Sequence, residues 1–218
     1  MSIIAASPFE SNDERRLNEF NLSTEIFHNG LRPGASRAAN RTALALASSP
    51  GTDIYHDGME QLAQILYPAR WRLVLVDRQP RLLHPDRAMS FTISSGINVG
   101  KANMRTPRTN KKGQATRSSL AAPEFERGLF KDLDAELAAE LTAAAEKAPF
   151  YFLLCERALV GGSGLILEFL RPAGMTRGGS VNEWSERIGV DFLDIEGDLS
   201  VFDNSDDGDS LDVPVEPR

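Results

Sequence analysis

Cysteine is nearly absent from this chain. Cys155 is the only one in 218 residues, so no internal disulfide is possible and nothing points to an oxidising compartment. It lies in the apolar run 150–155 (FYFLLC) and reads as a buried, inert thiol. Histidine is also scarce. His28, His56 and His84 are mutually far outside metal-ligand spacing and have no cysteine beside them, so neither a metal nor a cofactor is expected. Aromatics make up only 7%, which argues against a surface built from many base-stacking rings. No apolar run approaches the ~20 residues that span a bilayer. The opening MSIIAASPFESNDERR has no basic n-region, and its apolar stretch 3–6 is too short for a signal peptide. The expectation is a cytoplasmic protein with no membrane partner.

The most informative absence is of acid. From Arg87 to Pro123 there is no Asp or Glu, while the same stretch carries Arg87, Lys101, Arg105, Arg108, Lys111, Lys112 and Arg117. Acid is concentrated instead in residues 191–218, which hold ten carboxylates against Arg218 alone and carry −9 of the net −7. The remaining residues are therefore near neutral, at +2. A near-neutral body, a basic middle and an acidic end on one chain point to polyanion contact or to a charged protein partner.

The hydrophobic pattern predicts an α+β fold: an antiparallel sheet of hairpins packed with four to five helices. Residues 1–12 are expected to be flexible, 13–193 to form a single domain, and 194–218 to be a disordered acidic tail. Leu17, Phe20 and Phe27 suit a helix over 13–28 stopped near Gly30, with a turn at Arg32, Pro33 and Gly34. An alanine-rich helix follows over 36–47, ended by Ser48, Ser49, Pro50 and Gly51. Asp57 and Glu60 form a capping-box pattern for the next helix, which ends at Pro68. Strands are expected at 71–76, with too many adjacent apolar residues to expose one face, then at 81–84 after a Gln79-Pro80 turn, and at 89–94. Residues 95–122 read as a long, mobile basic loop. Phe125, Leu129, Leu133, Leu137 and Leu141 mark a core-facing helical row ended by Pro149. A hairpin over 150–155 and 165–170 turns at Gly161, Gly162, Ser163 and Gly164. Ser180 and Glu183 form a second capping-box pattern, predicting a short helix through Trp184 and Ile188.

Three motifs resemble chemistry and fail on spacing. Gly96, Gly100 and Lys101 are one residue short of a phosphate-binding loop, and Ala102 stands where a magnesium-binding Ser or Thr belongs. Ser163 lacks the second glycine of a nucleophile elbow. His56 and His84, with nearby Asp57 and Asp86, would make a base only if the fold brought them together. Arg171, Pro172, Ala173 and Gly174, and likewise Arg177, Gly178 and Gly179, read as turns with basic residues beside them, suited to an anion site.

No catalytic residue is therefore assigned. The leading expectation is a non-enzymatic binding protein, a subunit of a nucleic-acid-handling assembly. It would contact phosphates through Lys101, Arg105, Arg108, Lys111, Lys112 and Arg117 in the loop 96–117, with an acidic tail that competes or recruits partners. The alternative is a protein–protein interaction or regulatory protein that contacts no nucleic acid. A second alternative is a small hydrolase or nuclease using His56 and His84.

Overall fold

The structure, a computed structural model, describes residues 12–100, 106–112, 116–117, 133–158 and 163–195. Among these are four helices: α1 (Asn12–Asn18), α2 (Thr24–Ala39), α3 (Ser49–Leu66) and α4 (Leu133–Lys147). Seven strands form the sheet: β1 (Arg72–Val76), β2 (Gln79–Leu83), β3 (Ser90–Ile97), β4 (Arg108–Thr109), β5 (Phe150–Ala158), β6 (Gly164–Met175) and β7 (Val181–Asp194). The α+β class is as expected, but the sheet is mixed rather than built only from antiparallel hairpins. Its order is β1-β2-β3-β5-β6-β7, with β4 paired to β3. β3 and β5 run parallel, from Ser90 against Phe150 to Ser95 against Cys155. Parallel neighbours need a crossover, and the chain between them, α4 included, supplies it.

The helical layer α1–α3 covers one face. Its core joins Leu17, Phe27, Leu31, Ile54, Met59 and Leu62 to Trp71, Phe91, Tyr151 and Phe169 of the sheet. Rings meet edge-on at Phe27–Phe91 and Phe91–Phe169 and stack at Tyr151–Phe169, 4.9 Å apart. α1 is short and is tied down by its polar side chains. Buried Glu14 accepts from the Thr24 hydroxyl at 2.7 Å, and Asp13 accepts from the Gly189 amide at 3.0 Å. Arg16 donates to Glu186 at 2.6 Å, and the Tyr151 hydroxyl donates to the other Glu186 oxygen at 2.5 Å. Hydrogen bonding from Arg16 holds the Glu186 carboxyl below the usual range, whereas burial pushes Tyr151 up to about 12.

The helix boundaries differ from expectation for one reason. Gly30 and Gly34 do not stop a helix: α2 runs through them and through Pro33. A Cβ on Gly30 would lie 2.4 Å from the Leu62 side chain, and one on Gly34 2.7 Å from the Asp53 carbonyl. The glycines therefore mark where α2 crosses α3 at close range, not turns. The expected alanine-rich helix at 36–47 is the end of α2 followed by a loop. Ser48 to Gly51 open α3 instead of closing a helix, with Pro50 in the first turn, where its missing N–H costs nothing. Asp57 consequently sits inside α3, 3.2 Å from Arg37, and Asp53 takes both arms of Arg41 at 2.6 and 2.8 Å.

The other sheet face is divided. α4 lays Leu141, Ala144, Ala145 and Ala148 on Val74, Val76 and Leu83. Leu137, expected to face the core, is 56% exposed. The packed stripe is the alanine one because small side chains let the helix sit close to the strands. Phe125 and Leu129 lie outside the described residues. Beyond α4, Val99, Phe150, Phe152 and Leu170 pack with Met175, Val181 and Trp184 from the β6–β7 hairpin. The short helix expected after Ser180 is β7. The spacing of Trp184 and Ile188 suits a strand as well as a helix, and β6 offers a long edge that pairs from Met175 to Gly164 through several bulges. The expected β5–β6 hairpin is present, its register running from Phe152 against Leu170 to Ala158 against Gly164.

In the first hairpin the turn is Asp77-Arg78, both at positive φ (46° and 66°), not Gln79-Pro80. Two left-handed residues make the tight reversal that matches strand twist. Val76 and Gln79 then form the closing hydrogen-bonded pair, and Pro80 faces Leu75 at a non-bonded position where no donor is needed.

The close helix crossing yields a stability prediction. Gly34→Ala drives a Cβ into backbone of α3 and should destabilise by about 1–3 kcal/mol. Gly51→Ala meets nothing within 4 Å and should be neutral or stabilising by up to ~1 kcal/mol. Urea denaturation of the two variants checks this; equal stabilities would refute the close-contact role of Gly34.

Candidate functional site

The segment 106–112 does not float free of the fold. Thr109 and Arg108 pair with Gly96 and Ile97 of β3, and the segment is pinned to the β6–β7 hairpin on its other side. Trp184 donates from its indole N–H to the Pro107 carbonyl at 2.8 Å, and the Val181 amide donates to the Thr109 hydroxyl at 3.1 Å. The Lys112 amide donates to the Gly179 carbonyl at 2.8 Å. The Arg117 guanidinium lies beside the same glycine. Three expected contact residues, Arg108, Lys111 and Arg117, are exposed here, as is Arg177 on the adjoining turn. The fold thus brings the basic segment and the Arg177 turn together, although they are far apart in sequence. Lys101 and Arg105 lie outside the described residues.

Lys112 points inward. Its half-buried side chain donates to the Ser94 hydroxyl and places Nζ 5.5 Å from the centre of the Phe152 ring. Burial lowers its pKa to about 8. Nearby, buried Arg81 lies 4.1 Å from the Phe150 ring centre and donates twice to Gln79, whose amide in turn reaches the Thr116 hydroxyl at 3.4 Å. Burial lowers Arg81 to about 10. Both cations rest on ring faces that touch each other, 4.7 Å between centres. Nothing in the local sequence separates inward Lys112 from its outward neighbour Lys111; only the pairing of β4 does.

The sequence motifs of chemical type resolve differently. The amides of Val99 and Gly100, those a phosphate loop would offer, donate to Glu156 at 2.7 Å and Glu168 at 2.8 Å. Glu168 is buried and also holds Arg187 at 2.6 Å. The chain's own carboxylates thus occupy the anion nest, and these amides are not offered to a phosphate. His84 is buried against Trp71, 4.9 Å between ring centres, and burial lowers its pKa. Its Nδ1 accepts the Asp86 amide at 3.1 Å, and Nε2 lies 3.3 Å from the Asn21 side-chain amide. Both ring nitrogens are thus engaged. His56 is exposed on α3, edge-on to Tyr55, and His28 meets the Asp191 carbonyl at 2.8 Å. Among the described residues no cluster of His, Cys, Asp or Glu is arranged to hold a metal. Burial raises the Cys155 thiol to about 12, far from a nucleophilic thiolate. The Ser163 carbonyl closes the hairpin by accepting from the Ile195 amide at 3.0 Å.

A second surface was not anticipated. Between α3 and the first hairpin lies a groove of about 540 Å³, lined mainly by Tyr55, Met59, Ala63, Tyr67, Leu73 and Pro80, with His56, Glu60 and Gln64 also on its wall. β1 is the edge strand beside it. Leu73 and Leu75, expected to be covered, are 51% and 60% exposed. Side chains alternate along β1: Val74 and Val76 are buried under α4, and Leu73 and Leu75 point the opposite way. No described helix is long and apolar enough to cross a membrane.

The buried ammonium gives a pH prediction. Lys112 has a lower pKa folded than unfolded, so the unfolded chain binds more protons between the two values, and stability rises with pH there. The penalty is fully present below about pH 8 and fades as pH approaches the ordinary lysine value. Lys112→Met should therefore be more stable than wild type at neutral pH by on the order of 1 kcal/mol, and the gap should close toward pH 10. Chemical denaturation at pH 7 and 10 checks this; a gap that widens with pH would show that Lys112 is not penalised by burial.

The chain matches no protein-family model, and comparison with curated proteins and with solved structures finds no match.

Proposed function

We propose that this chain is a non-enzymatic binding protein, a subunit of a nucleic-acid-handling assembly, whose phosphate-contacting surface is formed by Arg108, Lys111, Arg117 and Arg177. The observation that carries the reading is the Lys112–Gly179 backbone hydrogen bond of 2.8 Å. It joins two basic segments about 65 positions apart into one exposed surface. Sequence-independent affinity needs several cations on a shared face, with small polar neighbours allowing close approach; exposed Asn110 and Gly178 provide those. Lys101 and Arg105, expected contacts that precede this segment in the sequence, lie outside the described residues. Lys112 leaves the contact set because its ammonium is committed to Ser94 and Phe152. The acidic C-terminal segment acts as a competitor for the basic surface or recruits further subunits.

A second reading, recognition of a protein partner, is favoured by the apolar groove beside β1. The hydrolase alternative gains no support. His84 is buried with both nitrogens engaged, and His56 lies exposed on another element.

The test is fluorescence anisotropy with single- and double-stranded oligonucleotides at two salt concentrations. Wild type should bind with affinity that falls steeply as salt rises. Combined Arg108, Lys111, Arg117 and Arg177→Ala should weaken binding by on the order of a hundredfold at low salt and flatten the salt slope. Lys112→Met should change it little. If wild type binds no nucleic acid at low salt, the phosphate-contact reading fails and a protein partner takes its place.

A further inference from the structure

We propose that the outer edge of β1 and the groove beside it are the docking site for this chain's own segment 209–216, added there as a strand antiparallel to β1. The β1–β2 register leaves the site open. Val76, Val74 and Arg72 occupy the positions whose main chain bonds to β2, so the N–H and C=O groups of Leu73 and Leu75 point away from the sheet. Among the described residues, none bonds to those groups. The Leu73 and Leu75 side chains are exposed, and Leu73 shares the groove wall with Met59 and Ala63 of α3. An edge strand that presents both an unpaired main chain and apolar side chains is a template for strand addition.

The segment has the right parity. Leu211, Val213 and Val215 alternate with Ser210, Asp212, Pro214 and Glu216. In an antiparallel pair, a residue whose N–H faces β1 puts its side chain on the same sheet face as the β1 residue opposite. With Leu211, Val213 and Val215 facing Leu73 and Leu75, their side chains enter the groove. Pro214 then falls where its nitrogen faces outward, so it removes no ladder bond. The opposite parity would send the apolar side chains out of the groove and turn Pro214 against β1. Charge agrees as well: Arg70, Arg72 and Arg78 are exposed around the β1 edge, and the segment carries Asp209, Asp212 and Glu216.

Reach and direction agree too. β7 ends at Asp194, at the same end of the sheet as the β1–β2 turn, because β5 is parallel to β3 and the other pairings on the path are antiparallel. A chain arriving there meets β1 at Val76 and runs along it antiparallel. Six strands at ~4.8 Å spacing put β1 about 24 Å from β7. The sixteen residue steps from Ile195 to Leu211 can extend about 53 Å. Leu199 and Val201, the other apolar pair on the way, extend only about 13–20 Å from Ile195. Reach therefore selects 209–216. This assignment does not rest on phosphate contact by Arg108, Lys111, Arg117 and Arg177; where it holds, 209–216 is held on β1 and does not compete for that surface.

Amide hydrogen exchange by NMR on the full chain tests it. The Leu73 and Leu75 amides should exchange slowly in wild type, although both face away from β2. Val213→Pro removes a donor aimed at β1 and should speed their exchange by about tenfold or more. Val74 and Val76, bonded to β2, should keep their protection and report that the sheet is intact. Pro214→Ala should leave the protection of Leu73 and Leu75 in place. Fast exchange at Leu73 and Leu75 in wild type, or protection that survives Val213→Pro, would overturn the proposal. Protection that weakens on dilution would assign the added strand to a second copy and overturn the intramolecular assignment.

Discussion

The close crossing of α2 and α3 sets the geometry on which the rest of the structure depends. Gly30 and Gly34 lie one helical turn apart on α2: a Cβ on Gly34 would meet the α3 backbone, and the Leu62 side chain fills the space a Cβ on Gly30 would take. Gly58 repeats the device on α3, where a Cβ would meet Ile93 of β3 at 2.7 Å and Leu31 at 2.9 Å. Removing the side chains at these points lowers the helical layer onto Phe91, Tyr151 and Phe169 and lets the rings interlock. Dispersion falls off steeply with separation, so a gap of even an ångström would forfeit much of that contact. The same placement fixes how far α3 stands from β1, and with it the width of the apolar groove.

Buried charge is organised in two ways here. Beside α1, carboxylate and cation meet directly, as in Arg16–Glu186. On the opposite face, Arg81 and Lys112 rest on aromatic rings and are hydrogen-bonded by neutral side chains. Gln79 and Ser94 accept from these cations, and the buried Glu168–Arg187 pair lies on this same sheet face. The exposed arginines of the 108–117 region sit over that interior charge. Lys112 contributes to the local field even though it offers no donor to a ligand.

The class of the fold and most of the sheet were legible in the residues. Trp71 to Val76, Met89 to Ser94 and the 150–170 hairpin are apolar runs too short for helices and bounded by turn residues. The errors have a common cause: local signals were read without the neighbour that gives them meaning. A glycine looks the same in a turn as in a helix crossing, and only Leu62 and Asp53 distinguish Gly30 and Gly34. Ser180 to Glu183 is a sound capping sequence, outweighed by the long edge that β6 offers. Leu137 and Leu141 share a helical row, yet only Leu141 packs on the strands, beside the alanines, while Leu137 is exposed. At the site, acid exclusion marked out a basic segment of sequence. It could not separate Lys111 from Lys112, nor place Arg177 beside them, since both depend on pairing across the chain. The groove was missed because alternation in β1 was hidden by leucine and valine being equally apolar.

The parallel contact between β3 and β5 has a kinetic consequence. It joins Ser90 to Phe150, sixty positions later, at the centre of the sheet. The hairpins on either side, β1–β2 and β5–β6, close over short loops and can form early. Their union cannot, because a long segment must lose its freedom before the central ladder returns any enthalpy. The folding barrier should lie at this seam, with the two hairpins formed on the unfolded side of it. Until the seam closes, the facing edges of β3 and β5 stay unpaired, and the interval before closure is when a nascent chain is most open to capture by another strand.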